Sequence, residues 1–209
     1  MSEGIRYSAE ELSRMQDSLK YRLQNDSVIT NRELGWINLL WITDRIDLGL
    51  QRTAAKLVAH QLSQQPDLGV FESVVPVPMM GLPFATTLSE ELRLPLIMSR
   101  KSTHTPQTWK HPIVIGTKPY LNGNSIAHHA YNVGPGEFVL LADDVLGEAD
   151  TIAPVIENLR VRGVQINCAA FYVIKHYRPG YERLKEMGVQ PIGAINIKSI
   201  SPEGKFELT

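Results

Sequence analysis

Residues 138–151 read FVLLADDVLGEADT. A short apolar run, Phe138 to Ala142, ends in two adjacent carboxylates, Asp143 and Asp144. A tight loop follows, and the pattern from Thr151 to Val161 is helical. Strand, loop and helix in that order form one unit of a parallel α/β sheet, where ligands bind beyond the C-terminal ends of the strands. Two carboxylates at such a place are costly unless a sugar hydroxyl, a metal or a cation uses them. Capping the helix would need only one of them.

The same rhythm extends on both sides. Glu72 to Pro78 reads as a strand and Met80 to Leu92 as a helix with Pro83 in its first turn, where proline is tolerated. Leu96 to Ser99 reads as a second short strand, closed by Arg100-Lys101. After the central stretch, Gln165 to Ile174 is a strand, Pro179 to Met187 a helix ended by Gly188, and Ile192 to Ile197 a last strand. Residues 102–137 break the alternation. They hold four of the six histidines and four prolines, and they predict an extended β-arm or loop. Upstream, Ser8 and Glu11 form a capping box, and Leu12, Met15, Leu19 and Leu23 recur at helical spacing. Residues 30–46 are mixed, and Asp47 can cap a second helix running to about Leu62. The expected fold is therefore α/β, with a central, mostly parallel sheet flanked by helices. Right-handed crossovers place the strand-to-helix loops along one edge. Pro78 to Gly81, Arg100-Lys101, Asp143 to Thr151 and Lys175 to Gly180 should line that rim.

Composition narrows the function classes. The chain of 209 residues suits one domain. Lys plus Arg number 21 against 22 Asp plus Glu, a formal charge of -1, which gives no general drive toward nucleic acid or an anionic membrane. No stretch approaches the roughly 20 apolar residues of a membrane span, and no signal-peptide pattern opens the chain. A cytoplasmic protein with neither membrane nor nucleic-acid partner is expected. The one cysteine, Cys168, lies in an apolar run and reads as a small buried hydrophobe. The neighbours His128 and His129 point apart in an extended segment and have no third ligand at a recognisable spacing.

Taken together, several segments resemble type I phosphoribosyltransferases, most nearly the bacterial xanthine and purine enzymes. They are Ile37 to Val58, Met80 to Ala85 with Leu92 to Ile97 and Arg100-Lys101, Leu141 to Leu146, Lys175 to Gly180, and Ile200 to Gly204. The resemblance implies a helix at 1–25, then a phosphoribosyltransferase-like domain at 26–209 whose small hood comprises 26–46 and 190–209. It implies transfer of ribose-5-phosphate from phosphoribosyl pyrophosphate to a purine base, with Mg²⁺ as cofactor, in a homodimer. Asp143 and Asp144 would hold the ribose hydroxyls, directly or through Mg²⁺, and stabilise positive charge on the sugar. Met79, Met80, Gly81, Arg100 and Lys101 would bind pyrophosphate. Ile42, Thr43, Lys175 and Tyr177 would contact the base. Lys110, Lys118 and Tyr120, in the segment matching the family's catalytic loop, are candidates for phosphate contact.

One segment departs from the family pattern. After the paired aspartates the family loop is typically Thr-Gly-Gly-Thr, which curls its N–H groups around the 5′-phosphate. Here the loop is Gly147, Glu148, Ala149, Asp150 and Thr151. If Glu148 or Asp150 faced the phosphate, two unit charges about 5 Å apart would repel by about 3 kcal/mol at an effective dielectric near 20, or about two decades of affinity. Three readings follow: an active purine-type transferase; a catalytically impaired nucleotide-binding or regulatory module; or an enzyme whose ligand lacks the 5′-phosphate.

Overall fold

The computed structural model describes residues 7–31, 36–101, 106–117 and 127–209. Helix α1, Ala9–Asp26, begins at the expected capping box: the Ser8 hydroxyl accepts from the Glu11 N–H at 3.2 Å, and the Glu11 carboxylate accepts from the Ser8 N–H at 2.8 Å. Leu19 and Leu23 bury its apolar face, with Leu12 and Met15 packed beside them. The mixed segment that follows is an antiparallel pair, β1 (Ser27–Asn31) and β2 (Trp36–Leu39), and a single turn, α2 (Leu40–Thr43). Helix α3, Leu48–Ser63, starts where Asp47 accepts from the Leu50 N–H at 3.1 Å. The other oxygen of Asp47 takes Arg22 of α1 at 3.2 Å, tying the two helices together.

The alternation then appears as expected. Strand β3 (Ser73–Pro76) leads to α4 (Gly81–Leu92), β7 (Val139–Leu146) to α5 (Ile152–Val161), and β8 (Cys168–Lys175) to α6 (Gly180–Glu186) and β9 (Gln190–Ile200). Gly188 ends α6 with φ +67°, the left-handed value that favours glycine. Between α4 and β7 lie β4 (Arg100–Lys101), β5 (Pro112–Thr117) and β6 (Ala127–Asn132), a separate antiparallel sheet in the order β4-β6-β5. This is the β-arm that the proline- and histidine-rich stretch predicts.

The main sheet runs β10-β9-β8-β7-β3, where β10 is Phe206–Leu208, antiparallel to β9, and the other pairs are parallel. Leu96 adds a parallel bridge to Val74 on the far side of β3. The expected strand at 96–99 is thus a single bridge, and Arg100-Lys101 pair in the other sheet. Because the chain steps from β3 to Leu96 on one side and to β7 on the other, strand order reverses between β3 and β7. That is where an open α/β sheet forms its crevice.

Pleating divides the core. Val74, Leu140, Ala142, Cys168, Ala170 and Tyr172 join one apolar cluster with α1, α3 and α4. Val75, Val139, Leu141, Ala169 and Phe171 join the other with α5. Burial on both faces explains why these strands read as unbroken apolar runs. Cys168 is fully buried and its thiol is pushed up to about 12, so it packs as a hydrophobe. The expected hood grouping differs from the pairing seen: β1 and β2 form their own sheet, whereas β9 and β10 belong to the main one.

Asp47 is both cap and interhelical partner. Asp47→Ala should lower stability by about 1 kcal/mol from the lost cap, with little added by the half-exposed Arg22 pair. Urea unfolding would measure it; an unchanged midpoint would remove Asp47 from the α1–α3 junction.

Candidate active site

The site is assembled at the C-terminal ends of β3, β7 and β8. Strand β7 continues through both aspartates and stays paired to β8 as far as Leu146 with Ile174. Asp143 is buried and Asp144 partly so. The Asp143 Oδ1 accepts from the Asp144 N–H at 2.9 Å. Burial, then the neighbouring Asp144, push the Asp143 carboxyl well above the usual carboxylate range. Burial also raises Asp144, but a hydrogen bond from Asp143, backbone N–H groups and the Lys175 ammonium pull it back. Both carboxyls are thus held above the usual range, and the pair resists ionising twice.

Two glycines let neighbouring loops close on this strand end. A Cβ on Gly81 would lie 2.8 Å from Asp143 Oδ1 and 2.9 Å from the Ala142 carbonyl oxygen, so only glycine allows the β3–α4 loop to rest there. The Pro78–Met79 peptide in that loop is cis. Met79 is exposed and Met80 half-buried. On the other side the Gly180 N–H donates to the Gly147 carbonyl at 2.8 Å, and a Cβ on Gly180 would lie 2.9 Å from the Ala149 nitrogen. The loop after β8 is thus pressed against 147–149.

The carboxylates of the 147–151 loop point at arginines. Glu148 is ion-paired with Arg178, and Asp150 with Arg183 at 2.8 Å. Arg183 also donates to the Glu148 carbonyl at 3.1 Å. Among the hydrogen bonds of the described residues, none uses the N–H groups of Glu148, Ala149, Asp150 or Thr151. Lys175, at the end of β8, is buried; burial and then Arg178 hold its ammonium below the usual lysine range, while Asp144 and Glu148 pull it up.

The phosphoribosyl transferase domain model matches residues 42–203. The chain belongs to that family. It is 30% identical over 127 residues to an adenine phosphoribosyltransferase of Blochmanniella pennsylvanica, covering 60% of this chain and 67% of that one. A hypoxanthine/guanine phosphoribosyltransferase of Methanosarcina barkeri is 25% identical over 191 residues, 91% of this chain and 95% of the other. The fold is similar to that of Saccharomyces cerevisiae adenine phosphoribosyltransferase, with a TM-score of 0.65, 13% identity, and coverage of 87% of this chain and 99% of that one. The protein is thus a transferase, a phosphoribosyltransferase of type I architecture. Among the described residues no helix is long and apolar enough to cross a membrane.

In this phosphoribosyltransferase the rim joins Gly81, Asp143, Asp144, Gly147 to Thr151 and Lys175. The other residues singled out from sequence differ in their surroundings. Ile42 is fully buried in the apolar cluster that joins α1, α3 and α4. Thr43 closes α2; its side chain, Lys118 and Tyr120 lie outside the described residues. Arg100 and Lys101 are exposed on β4, with the Arg100 guanidinium 5.9 Å from the Trp109 ring centre. Lys110 is exposed just before β5. Tyr177 is half-buried against the core next to Lys175.

Three neighbours were not legible in the sequence. Tyr131 of β6 is fully buried, donates to the Pro76 carbonyl at 3.3 Å, and has its phenol held above its usual range by burial and Asp143. It sits in a segment without clear periodicity. Arg178 and Arg183 are complementary in sign to Glu148 and Asp150, but a pairing spanning 33 positions has no local signature.

The upward displacement of the Asp143 carboxyl has a consequence for stability. A carboxyl whose folded pKa is raised favours folding fully only below its unfolded value of about 3.9, and that contribution is lost as pH rises toward the folded value. Asp143→Asn should therefore raise the melting temperature at neutral pH and leave it unchanged near pH 3. An equal effect at both pH values would mean that Asp143 is not a buried acid.

Proposed function

We propose that this phosphoribosyltransferase moves ribose-5-phosphate from phosphoribosyl pyrophosphate to a purine base and releases pyrophosphate. The observation that carries the reading is the closure of the Gly81 backbone onto Asp143 at the point where strand order reverses. Such a crevice suits a ligand with an anionic group on either side of a polyhydroxylated ring.

The bond from the sugar C1 to pyrophosphate breaks with its electron pair leaving on oxygen, and a ring nitrogen of the base supplies the pair for the new bond. Positive charge builds on the sugar in between. Asp144, the more accessible of the pair, would accept from ribose hydroxyls and stabilise that charge. Asp143 holds its neighbour in place through the Asp144 N–H. The unengaged amides of 148–151, at the start of α5, suit the 5′-phosphate. The β3–α4 loop, with α4 behind it, suits the leaving pyrophosphate on the same grounds. Lys175 has donors only, which matches the carbonyl of a 6-oxopurine better than the amino group of adenine, and Tyr177 next to it would stack on the ring. Mg²⁺ takes one or two carboxylates alongside substrate oxygens, and the adjacent Asp143 and Asp144 carboxyls fit that donor set. When bound, the ion would supply charge neutralisation on the diphosphate. A cytoplasmic location, expected from composition, and a homodimer, as the resemblance implies, belong to the same proposal.

Pyrophosphate release from phosphoribosyl pyrophosphate, measured with xanthine, guanine, hypoxanthine and adenine, tests the reading. At least one 6-oxopurine should be turned over, faster than adenine. Asp144→Asn should lower kcat/KM by about 100-fold or more, as expected for loss of a charge that acts in the transition state. No release with any base, or full activity in the variant, would refute it.

A further inference from the structure

The acidic loop after β7 raises a question that the reading above leaves open: how a segment carrying Glu148 and Asp150 admits a phosphate dianion. We propose that Arg178 and Arg183 are charge-compensating and positioning residues of this loop, turning both carboxylates toward α6 so that the 148–151 amides are left for the ribose 5′-phosphate. The inference rests on the phosphoribosyl reading and concerns residues that the family loop pattern does not contain.

Four observations converge. Both carboxylates have an arginine partner, so the charges of Glu148, Asp150, Arg178 and Arg183 cancel. The same Arg183 that meets Asp150 at 2.8 Å donates to the Glu148 carbonyl at 3.1 Å, and so holds the loop backbone as well as a side chain. Gly180 brings α6 near enough for this, its N–H donating to the Gly147 carbonyl at 2.8 Å. Between the two acids, Ala149 takes φ +65°, the curl that glycine provides most cheaply, and the surrounding contacts keep it there.

The two pairs are not equal. Arg178 and Glu148 are 27% and 30% exposed, whereas Arg183 and Asp150 are 42% and 74% exposed. Solvent screens the second pair more, so Glu148–Arg178 carries most of the compensation. Arg178 also closes the turn that carries Lys175, its N–H donating to the Lys175 carbonyl at 3.0 Å. The phosphate side and the base side of the site therefore share one residue.

A double-mutant cycle tests this: wild type, Arg178→Ala, Glu148→Gln and the double variant. Ribose-5-phosphate binding is read by calorimetry, kinetics with phosphoribosyl pyrophosphate give KM and kcat, and melting curves check folding. Arg178→Ala should raise the KM for phosphoribosyl pyrophosphate about tenfold, with kcat and the KM for the base within about twofold. In the Glu148→Gln background the same change should cost less than about twofold, because no charge is left to compensate. Arg178→Lys should retain most of the affinity. Additive effects would mean that Arg178 grips the phosphate itself and would overturn the proposal, as would unchanged affinity in Arg178→Ala. Should that variant not fold, Arg178→Gln with and without Glu148→Gln reads the same coupling. Wild-type binding of ribose-5-phosphate without turnover would refute only the transferase reading; no binding at all would overturn the compensation.

Discussion

Two acids side by side at the buried end of a parallel strand constrain the rest of this protein. Neither carboxyl can lose its proton freely in so little water, and the first to ionise raises the cost of the second. Burial raises both carboxyls, Asp144 raises Asp143 further, and hydrogen bonds and the Lys175 ammonium draw Asp144 part of the way back. Such an arrangement weakens the fold and persists because the crevice formed by the reversal of strand order opens at the same point.

The backbone around the pair follows from the need to approach it. Gly81 lies against Asp143 and Gly180 against the 147–149 loop, each at a distance that any side chain would prevent. The two apolar clusters hold β3, β7 and β8 in register from either face, so loops rooted in three separate strands meet within a few ångströms. Catalytic geometry here depends on a rigid sheet, while the chemistry sits on the short segments that leave it.

Electrostatics resolve the loop's apparent mismatch. A strand end that ought to welcome an anion carries Asp143, Asp144, Glu148 and Asp150 within eight positions. Asp143 is pushed well above the usual carboxylate range by burial, Asp144 is partly offset by Lys175, and two acids are matched by arginines from the segment after β8.

The α/β class, the order of its elements and most helix starts were legible in the chain itself, because they rest on short-range causes: the Ser8–Glu11 box, the Asp47 cap, the left-handed Gly188 and the apolar runs of strands buried on both faces. The family, too, was visible in local motifs. Other features were decided only by assembly. Strand β7 runs on through two charged residues because its partner β8 continues beside it, and Leu96 to Ser99 shrinks to one bridge because Arg100-Lys101 pair with β6. Ile42 was singled out from its local motif, whereas its complete burial in the cluster shared by α1, α3 and α4 is set by packing. The direction in which Glu148 and Asp150 point was likewise undetermined until α6 packed against them. Hydrogen bonds within a turn of chain can be written into local sequence, but the partner of a charge some thirty residues away is chosen by the fold.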